Sequence, residues 1–464
     1  MTHVVVIGAY GSAGVAVADA LADEPDVELT LVDNGDPGGG LCILRGCMPS
    51  KDVFSAAEHR YRARTDDRLA GDPPAVDLER TVARKDEHVS TFAEHRRATV
   101  DELAGRENVT FHHETAHFLD DHTVAVGEER VEADYVVVAT GSTPNVPDIP
   151  GLDEVPYHTS ADVLDATDLP DSGIVVGFGY VGVEMAPYLA EAGGMDVTVV
   201  EHDPRPLDEA DDEFGDALLD IYREEFDIDV LTETTERSFA PTDDGVELTY
   251  ERDGETGTVE ADSLFLFTGR RPDVDALALE NTSLEAEEGW VDATMHARDA
   301  ERVFVVGDVN GREPILHVAK EQGHVAAENV LRHRDGESLR EYENVHHHVM
   351  FSGLAVYPFA RVGHSATSAS DAGLDHVAVT REAASDGVFK TKDAARGLAR
   401  LVVGTDGTVL GYQGLHYHAD VMAKTMQVAV ELGMDVRDLP DRAYHPTTPE
   451  ILDGLFRDAK RELD

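Results

Sequence analysis

The chain has 464 residues and is strongly acidic, since 93 aspartates and glutamates outnumber 38 lysines and arginines and give a formal net charge of −55 at pH 7. Its 42% apolar content excludes a disordered chain and allows about three domains with separate cores, while the negative charge argues against nucleic acid as a partner. Because molar salt shortens the screening length to about 3 Å and suppresses self-repulsion, such a surface is typical of a halophilic protein.

The first predicted element is a βαβ unit between Val4 and Val32. Its turn carries three glycines and its second strand ends in a carboxylate: Gly8, Gly11, Gly14 and Asp33. Glycines let the backbone approach a pyrophosphate, the helix N-terminus supplies oriented amides, and the carboxylate can bind ribose hydroxyls. The spacing departs from Gly-x-Gly-x-x-Gly, so either Ala9 replaces the first glycine or the turn contains one extra residue.

The only two cysteines, Cys42 and Cys47, follow this unit. A loop this short removes little entropy from the unfolded chain, so stability does not explain the pair. A zinc site usually needs four ligands and no second cysteine pair is present, so we expect no metal. The pair therefore predicts a redox-active dithiol. Without structural disulfides or a run of about 20 apolar residues, we expect a soluble protein of the reducing cytoplasm with no membrane span.

A second βαβ unit extends from Gly173 to Glu201. Its glycine spacing is regular, and it too closes on a carboxylate: Gly177, Gly179, Gly182 and Glu201. Two such units in one chain indicate two dinucleotides.

Three further segments predict positions near a nucleotide. The predicted strand Tyr135 to Val138 leads into the run 139–144, and the run 268–272 has a similar character. The apolar strand beginning at Val303 ends in Gly307-Asp308, where a carboxylate could meet a cofactor hydroxyl.

Beyond residue 340 the pattern changes. Strands are predicted around Asp406-Gly407, and Val421 to Leu432 predicts an amphipathic helix. No glycine fingerprint is present, so this region predicts a separate α+β module.

With the dithiol run, both βαβ units, the Gly-Asp strand and the terminal run His445-Pro446-Thr447-Thr448-Pro449-Glu450, the chain resembles the pyridine nucleotide-disulfide oxidoreductases over essentially its whole length. It is similar in its order of parts to glutathione reductase, dihydrolipoamide dehydrogenase and mercuric reductase. The resemblance implies an α/β fold with two Rossmann-like domains and a C-terminal α+β dimerisation domain. The implied divisions are an FAD domain of residues 1–150 and 276–338, an NAD(P) domain of residues 151–275, and a dimerisation domain of residues 339–464.

The resemblance also implies catalytic roles. Cys47 would face the flavin as the charge-transfer thiolate, and Cys42 would attack the substrate disulfide. Thiol exchange needs an acid-base group, for which His445 is the candidate, oriented by Glu450. In a homodimer, these last two residues would complete the partner subunit's site.

Cofactor contacts are implied in the same way. Lys51 and Glu184 would pair beside the flavin, and Tyr180 would cover it until nicotinamide displaces the ring. The residues expected to bind FAD are Gly8, Gly11, Gly14, Asp33, Gly40, Leu41, Lys51, Ala116, Thr140, Gly141 and Asp308. Those expected to bind the nicotinamide dinucleotide are Gly177, Gly179, Tyr180, Gly182, Glu201, His202, Arg205 and Gly269.

The choice of nicotinamide has opposing signals. Glu201 occupies the position where a carboxylate takes the 2′-hydroxyl of NADH. His202 and Arg205 follow and could bind the 2′-phosphate of NADPH. Since the chain resembles thiol reductases, we expect NADPH, and NADH is the alternative.

The substrate is narrowed by the cysteine count. Mercuric reductases and large thioredoxin reductases carry a further C-terminal redox or metal-binding pair, which is missing here. Arg45, between the two cysteines, could hold a substrate carboxylate, which the apolar lipoyl arm lacks. With a halophilic surface, this favours bis-γ-glutamylcystine, the disulfide of the thiol that salt-loving archaea use. The alternatives are a dihydrolipoamide dehydrogenase docked into a 2-oxoacid dehydrogenase assembly and a flavin-bound sensor.

Overall fold

The computed structural model describes all 464 residues and divides them into two compact units. The first unit comprises Met1–Lys51, Ala83–Asn145 and Arg270–Asn344, and the second comprises Asp52–Val82, Val146–Gly269 and Val345–Asp464. Two helices, Cys47–Thr65 and Leu78–Ala104, contribute residues to both units. None of the helices is long and apolar enough to cross a lipid bilayer.

The first unit contains ten strands. Its strands are Thr2–Ile7, Val27–Val32, Val109–His112, Ala116–Asp120, Thr123–Val126, Glu129–Glu132, Tyr135–Val138, Ser142–Pro144, Arg270–Pro272 and Val303–Val305. Its other helices are Ser12–Ala22, Leu41–Leu44 and Leu316–Arg334, with 3-10 turns at Leu279–Asn281 and Asp308–Asn310.

A parallel sheet forms the centre of this unit. Its five strands lie in the order Val303–Val305, Tyr135–Val138, Thr2–Ile7, Val27–Val32 and Val109–His112. Side chains of one strand alternate between two cores, with Val4 and Val6 in one and Val5 and Ile7 in the other. A strand buried on both faces requires such an uninterrupted apolar run.

The second unit contains twelve strands. They are Ser172–Val176, Asp196–Val200, Asp229–Leu231, Thr234–Pro241, Val246–Arg252, Glu255–Ala261, Ser263–Leu266, His348–Met350, Phe359–Gly363, His376–Glu382, Leu398–Gly404 and Val409–Leu415. Its other helices are Ser160–Leu164, Tyr180–Gly193, Asp212–Glu225, Ala366–Asp371, Gly387–Thr391, Ala419–Glu431 and Glu450–Leu463, with 3-10 turns at Leu152–Glu154, Gly353–Ala355 and Ala383–Ser385.

Two sheets of this unit match the predicted elements. A four-stranded parallel sheet has the order Asp229–Leu231, Asp196–Val200, Ser172–Val176 and Ser263–Leu266. The C-terminal residues form a five-stranded antiparallel sheet whose core is shared with the helices Ala419–Glu431 and Glu450–Leu463. The predicted α/β class, with two parallel-sheet βαβ units and a C-terminal α+β module, is confirmed.

A buried histidine follows the strand Val409–Leu415. The side chain of His416 has no exposed surface; the Tyr412 hydroxyl lies 3.0 Å from Nε2, and the Tyr417 carbonyl oxygen lies 2.9 Å from Nδ1. Both contacts are satisfied when Nδ1–H donates to the carbonyl and the hydroxyl donates to Nε2, which is the neutral imidazole. Burial lowers the pKa of His416 to about 4, against a partial opposing effect of the Tyr417 carbonyl.

This histidine should make the fold sensitive to acid. Because the folded-state pKa lies below the unfolded value, the unfolded chain binds a proton first, and stability present above pH 6.5 is lost as the pH falls towards 4. We expect the wild type to lose about 2 kcal/mol more free energy of unfolding than His416→Gln between pH 7.5 and pH 5, measured by urea denaturation in molar salt. Equal losses would contradict this assignment.

Candidate active site

A cleft of 360 Å³ lies in the first unit, where the strands Thr2–Ile7, Tyr135–Val138 and Val303–Val305 end. Both cysteines and Arg45 line it. So do eight of the residues expected to bind the first dinucleotide: Gly8, Gly11, Asp33, Gly40, Leu41, Thr140, Gly141 and Asp308. Ligands of open α/β sheets bind at this edge, so the structure brings the predicted dithiol and nucleotide residues to one place.

The two glycine turns can be compared directly. A Cβ on Gly14 would lie 2.2 Å from the Gly8 carbonyl oxygen, and a Cβ on Gly182 would lie 2.2 Å from the Gly177 carbonyl oxygen. Gly14 comes six positions after Gly8, whereas Gly182 comes five positions after Gly177. The first turn therefore contains one extra residue, and Ala9 does not replace its first glycine.

The carboxylates that close the βαβ units support these turns. The Asp33 carboxylate accepts a hydrogen bond from the Tyr10 amide at 2.8 Å, and Glu201 accepts one from the Phe178 amide at 2.6 Å. Burial raises the pKa of Asp33, while amide donors partly reverse the effect. Each carboxylate keeps lone pairs that can accept from ribose hydroxyls.

The first turn fits the pyrophosphate of a dinucleotide. The helix Ser12–Ala22 begins after Gly11, and no side chain caps its first amides, which are therefore available to an anion. Gly8 has a φ of +98°, and a Cβ there would lie 2.3 Å from the Ala139 carbonyl oxygen. A side chain at this position would displace the turn.

Replacing Gly8 should therefore impair cofactor retention. We expect Gly8→Ala to bind FAD at least about tenfold more weakly, because strain and a backbone clash act together. Gly71 is a matched control, since its φ is +101° and a Cβ added there would meet no atom within 4 Å. The ratio of flavin to protein absorbance after gel filtration measures the effect; equal ratios for Gly8→Ala and Gly71→Ala would contradict it.

The two cysteines are not joined by a disulfide in this structure, and their surroundings differ. Cys42 lies in the short helix Leu41–Leu44 and is partly buried, whereas Cys47 is exposed and begins the helix Cys47–Thr65. A helix N-terminus favours negative charge on the Cys47 sulfur. The pKa of Cys42 is raised mainly by the hydrogen bond that the Cys42 thiol donates to the Cys47 sulfur, and further by burial. A base is therefore needed before Cys42 can attack a disulfide.

Sequence reasoning missed three hydrogen bonds at or near the cleft. Ser142 donates to Asp308 Oδ2 at 2.7 Å and accepts from Arg270 Nε at 2.8 Å. The strands Ser142–Pro144 and Arg270–Pro272 pair with each other. The sequence places them in two separate runs, 139–144 and 268–272, and does not indicate that these runs pair. Arg96 Nη1 donates to the Tyr10 carbonyl oxygen at 3.1 Å, a contact that no motif signals.

Other predicted residues lie outside the cleft lining. Ala116 begins the strand Ala116–Asp120 and is buried in its core. Lys51 Nζ donates to Ser50 Oγ at 3.3 Å, and Glu184 Oε1 accepts from the Phe351 amide at 2.8 Å. The pairing of Lys51 with Glu184 stays a prediction.

A histidine and a carboxylate meet at the C-terminal helix. Nδ1 of His445 lies 3.0 Å from Glu450 Oε1, and this carboxylate also accepts from the Thr447 amide at 3.0 Å. The Thr447 amide, with a smaller effect of His445, holds the pKa of Glu450 below its usual value. The His445 side chain is 80% exposed, so its Nε2 edge is presented to the surroundings of the chain.

The second turn shows how the nicotinamide residues are placed. Gly179 precedes the helix Tyr180–Gly193 without a side-chain cap, and Gly269 has a φ of +83°. His202 Nδ1 lies 2.9 Å from Glu201 Oε1. Arg205 is bound by two aspartates of the helix Asp212–Glu225, at 3.1 Å and 2.9 Å. His202 and Arg205 are the two candidate ligands of the 2′-phosphate of NADPH. To bind this phosphate, Arg205 would have to leave the two aspartates.

Comparisons with family models cover most of the chain. A model described as pyridine nucleotide-disulphide oxidoreductase matches residues 2–323. The model of that family's dimerisation domain matches residues 349–455.

Relatives are also similar over their full length. The chain is 31% identical to dihydrolipoyl dehydrogenase of Haloferax volcanii, covering 97% of this chain and 94% of the relative. It is 30% identical to dihydrolipoyl dehydrogenase 2 of Haloarcula marismortui, covering 99% and 97%. With the Geobacillus stearothermophilus dihydrolipoyl dehydrogenase the identity is 29%, covering 97% and 94%.

Solved structures share the fold. The HOCl-induced flavoprotein disulfide reductase RclA of Escherichia coli has a TM-score of 0.81 at 24% identity, covering 98% of this chain and 99% of that protein. LpdA of Mycobacterium tuberculosis has a TM-score of 0.82 at 23% identity, covering 100% of both.

Proposed function

Since the chain belongs to the pyridine nucleotide-disulphide oxidoreductase family, we propose that it uses NADPH to reduce bis-γ-glutamylcystine in a reducing cytoplasm. Members of this family are flavoprotein oxidoreductases that act on sulfur groups with FAD and NAD(P), and the chain carries the family's dimerisation domain. The observation that carries the proposal is that the only two cysteines line one cleft together with a dinucleotide turn.

The residues of the first turn and the cleft fit the cofactors of this family. Bound FAD would supply a two-electron carrier between the nicotinamide and the dithiol. The amides after Gly11 would hold its pyrophosphate, and Asp33 would accept from its ribose hydroxyls. Asp308, oriented by Ser142, would accept from another hydroxyl of the cofactor.

The thiols would carry out two exchanges. The Cys42 thiolate attacks one sulfur of the substrate disulfide, forms a mixed disulfide and releases the first thiol. The Cys47 thiolate then attacks the Cys42 sulfur, which releases the second thiol and forms the Cys42–Cys47 disulfide. His445 of the second subunit takes the proton from Cys42 and returns it to the leaving thiolate, and Glu450 orients the imidazole.

Two features of the chain indicate the substrate: the absence of a third cysteine and the positive charge of Arg45. No third cysteine can pass electrons onward, so the substrate must come directly to Cys42. Arg45 is exposed and lines the cleft beside the thiols, where its guanidinium can pair with a carboxylate. Bis-γ-glutamylcystine carries several carboxylates and would suit such a partner.

Dihydrolipoyl dehydrogenase is the second candidate, because the similar proteins described above carry that name. Identity to the two archaeal relatives is 31% and 30%, hardly above the 29% with the bacterial one. The residue that favours the first candidate over this one is Arg45, which lines the cleft beside both thiols.

Turnover of a substrate panel tests the proposal. The FAD-loaded dimer is assayed in molar salt with bis-γ-glutamylcystine, cystine, glutathione disulfide and lipoamide, with NADPH or NADH. We expect the highest kcat/KM with bis-γ-glutamylcystine. Rapid oxidation of dihydrolipoamide without reduction of bis-γ-glutamylcystine would establish the second candidate instead, and so would co-purification with a large acyltransferase core.

The nicotinamide preference should depend on His202. Its imidazole is 72% exposed beside the buried carboxylate of Glu201, whereas Arg205 is bound by aspartates. We expect His202→Ala to lower kcat/KM for NADPH by about tenfold and to leave that for NADH unchanged, because one charged hydrogen bond to the 2′-phosphate is removed. Arg205→Ala is the control with a smaller expected effect. An equal loss with both nucleotides would contradict the assignment.

A further inference from the structure

Tyr180 occupies a defined place at the second glycine turn. It is the first residue of the helix Tyr180–Gly193, directly after Gly179, and its side chain is 39% exposed. Its hydroxyl lies 3.4 Å from Nε2 of His348, and the two rings meet edge to face with centroids 5.4 Å apart. The observed position of this tyrosine is therefore defined by an imidazole 168 positions away in the sequence.

His348 is itself firmly held. Its side chain is only 4% exposed, and its ring centroid lies 6.1 Å from that of Phe359. Its Nδ1 lies 3.9 Å from Glu209 Oε2, and this carboxylate is bound by Arg361 Nη1 at 2.6 Å. Because the imidazole is enclosed on these sides, it cannot follow Tyr180 when that ring moves.

We propose that His348 is a positioning residue that holds the Tyr180 ring in the position observed here and so weakens dinucleotide binding. This inference rests on the proposed function and on the role expected for Tyr180 from the family resemblance, in which its ring moves aside for the nicotinamide. The apparent affinity for the dinucleotide is then the intrinsic affinity multiplied by the fraction of molecules in which the ring is already displaced. Breaking the hydroxyl–imidazole hydrogen bond and the ring contact raises that fraction.

The test measures binding without turnover. The FAD-loaded dimer is titrated calorimetrically in molar salt with NADP+ and with NAD+, neither of which reduces the enzyme. His348→Leu keeps a similar volume but removes the hydrogen bond, so the dissociation constant should fall about 3- to 10-fold. Tyr180→Phe, which removes only the hydroxyl, should shift it in the same direction. The double variant should bind no more tightly than the tighter of the two single variants, because both changes remove one contact.

A neighbour supplies the control. His347 belongs to the same histidine run, but its Nε2 contacts Gln427 at 3.2 Å, so His347→Leu should leave the dissociation constants unchanged. Unaltered binding in His348→Leu and Tyr180→Phe, or fully additive effects in the double variant, would overturn the inference. Disulfide turnover is assayed separately, so loss of the proposed function alone would be visible as binding shifts without bis-γ-glutamylcystine reduction.

Discussion

Replacing Cys42 by serine is expected to lower NADPH-dependent disulfide reduction by 10³-fold or more, on the order of the loss seen when a covalent nucleophile is removed. A serine hydroxyl is not deprotonated at working pH and cannot exchange with a disulfide. Because the partly buried Cys42 side chain lies in a short helix beside the cleft, the isosteric change should leave FAD bound. Steady-state NADPH oxidation with bis-γ-glutamylcystine measures it, with flavin content as the control for folding.

Cys47→Ser should be equally inactive but for a different reason. In this variant Cys42 can still attack the substrate, and no second thiol can release it. Intact mass should therefore show a mixed disulfide with one γ-glutamylcysteine in Cys47→Ser and none in Cys42→Ser. Substantial turnover in either variant, or the adduct on Cys47 instead of Cys42, would contradict the assigned roles.

Removing the imidazole of His445 is expected to lower kcat/KM by roughly 10²- to 10³-fold, the range of a lost acid-base group. The effect should be large because the raised pKa of Cys42 keeps its thiol protonated until a base acts. In His445→Ala the rate should rise with pH as hydroxide takes over deprotonation. A rate within a few fold of the wild type would show that another group is the base.

Hybrid dimers test whether His445 acts on the partner's thiols. A tagged Cys42→Ser subunit is combined with a His445→Ala subunit carrying a second tag, and the hybrid is purified through both tags. If each site joins Cys42 of one subunit to His445 of the other, one of the two sites is intact and about half the wild-type rate returns. If both residues act within one subunit, the hybrid stays inactive.

The sequence predicts the fold well because its signals are local. The apolar run Val4 to Ile7 is long enough for one strand and is buried on both faces, and the glycines at Gly8 and Gly177 have the positive φ that a tight turn needs. The same local chemistry brings Cys42 and Cys47 to the cleft, since both lie within ten residues of the Gly39-Gly40 turn.

Contacts between distant segments could not be predicted. Tyr180 meets His348 across 168 positions, and Ser142 meets Asp308 across 166, without any shared motif. The extra residue in the first turn is one of two interpretations that the sequence allows, and the packing of Gly14 against Gly8 decides between them. Such pairings depend on tertiary packing, which single-residue patterns do not encode.

Electrons are expected to reach a small disulfide through Cys42 and Cys47. Because these are the only cysteines, alkylation followed by intact mass reports their redox state without interference. After anaerobic reduction with one equivalent of NADPH, two alkyl groups per chain are expected. When bis-γ-glutamylcystine is added before the alkylating reagent, the cysteines should be reoxidised and no alkyl group should be found on the chain. Two γ-glutamylcysteines should be released per NADPH. Two alkyl groups persisting after the disulfide is added would contradict the account.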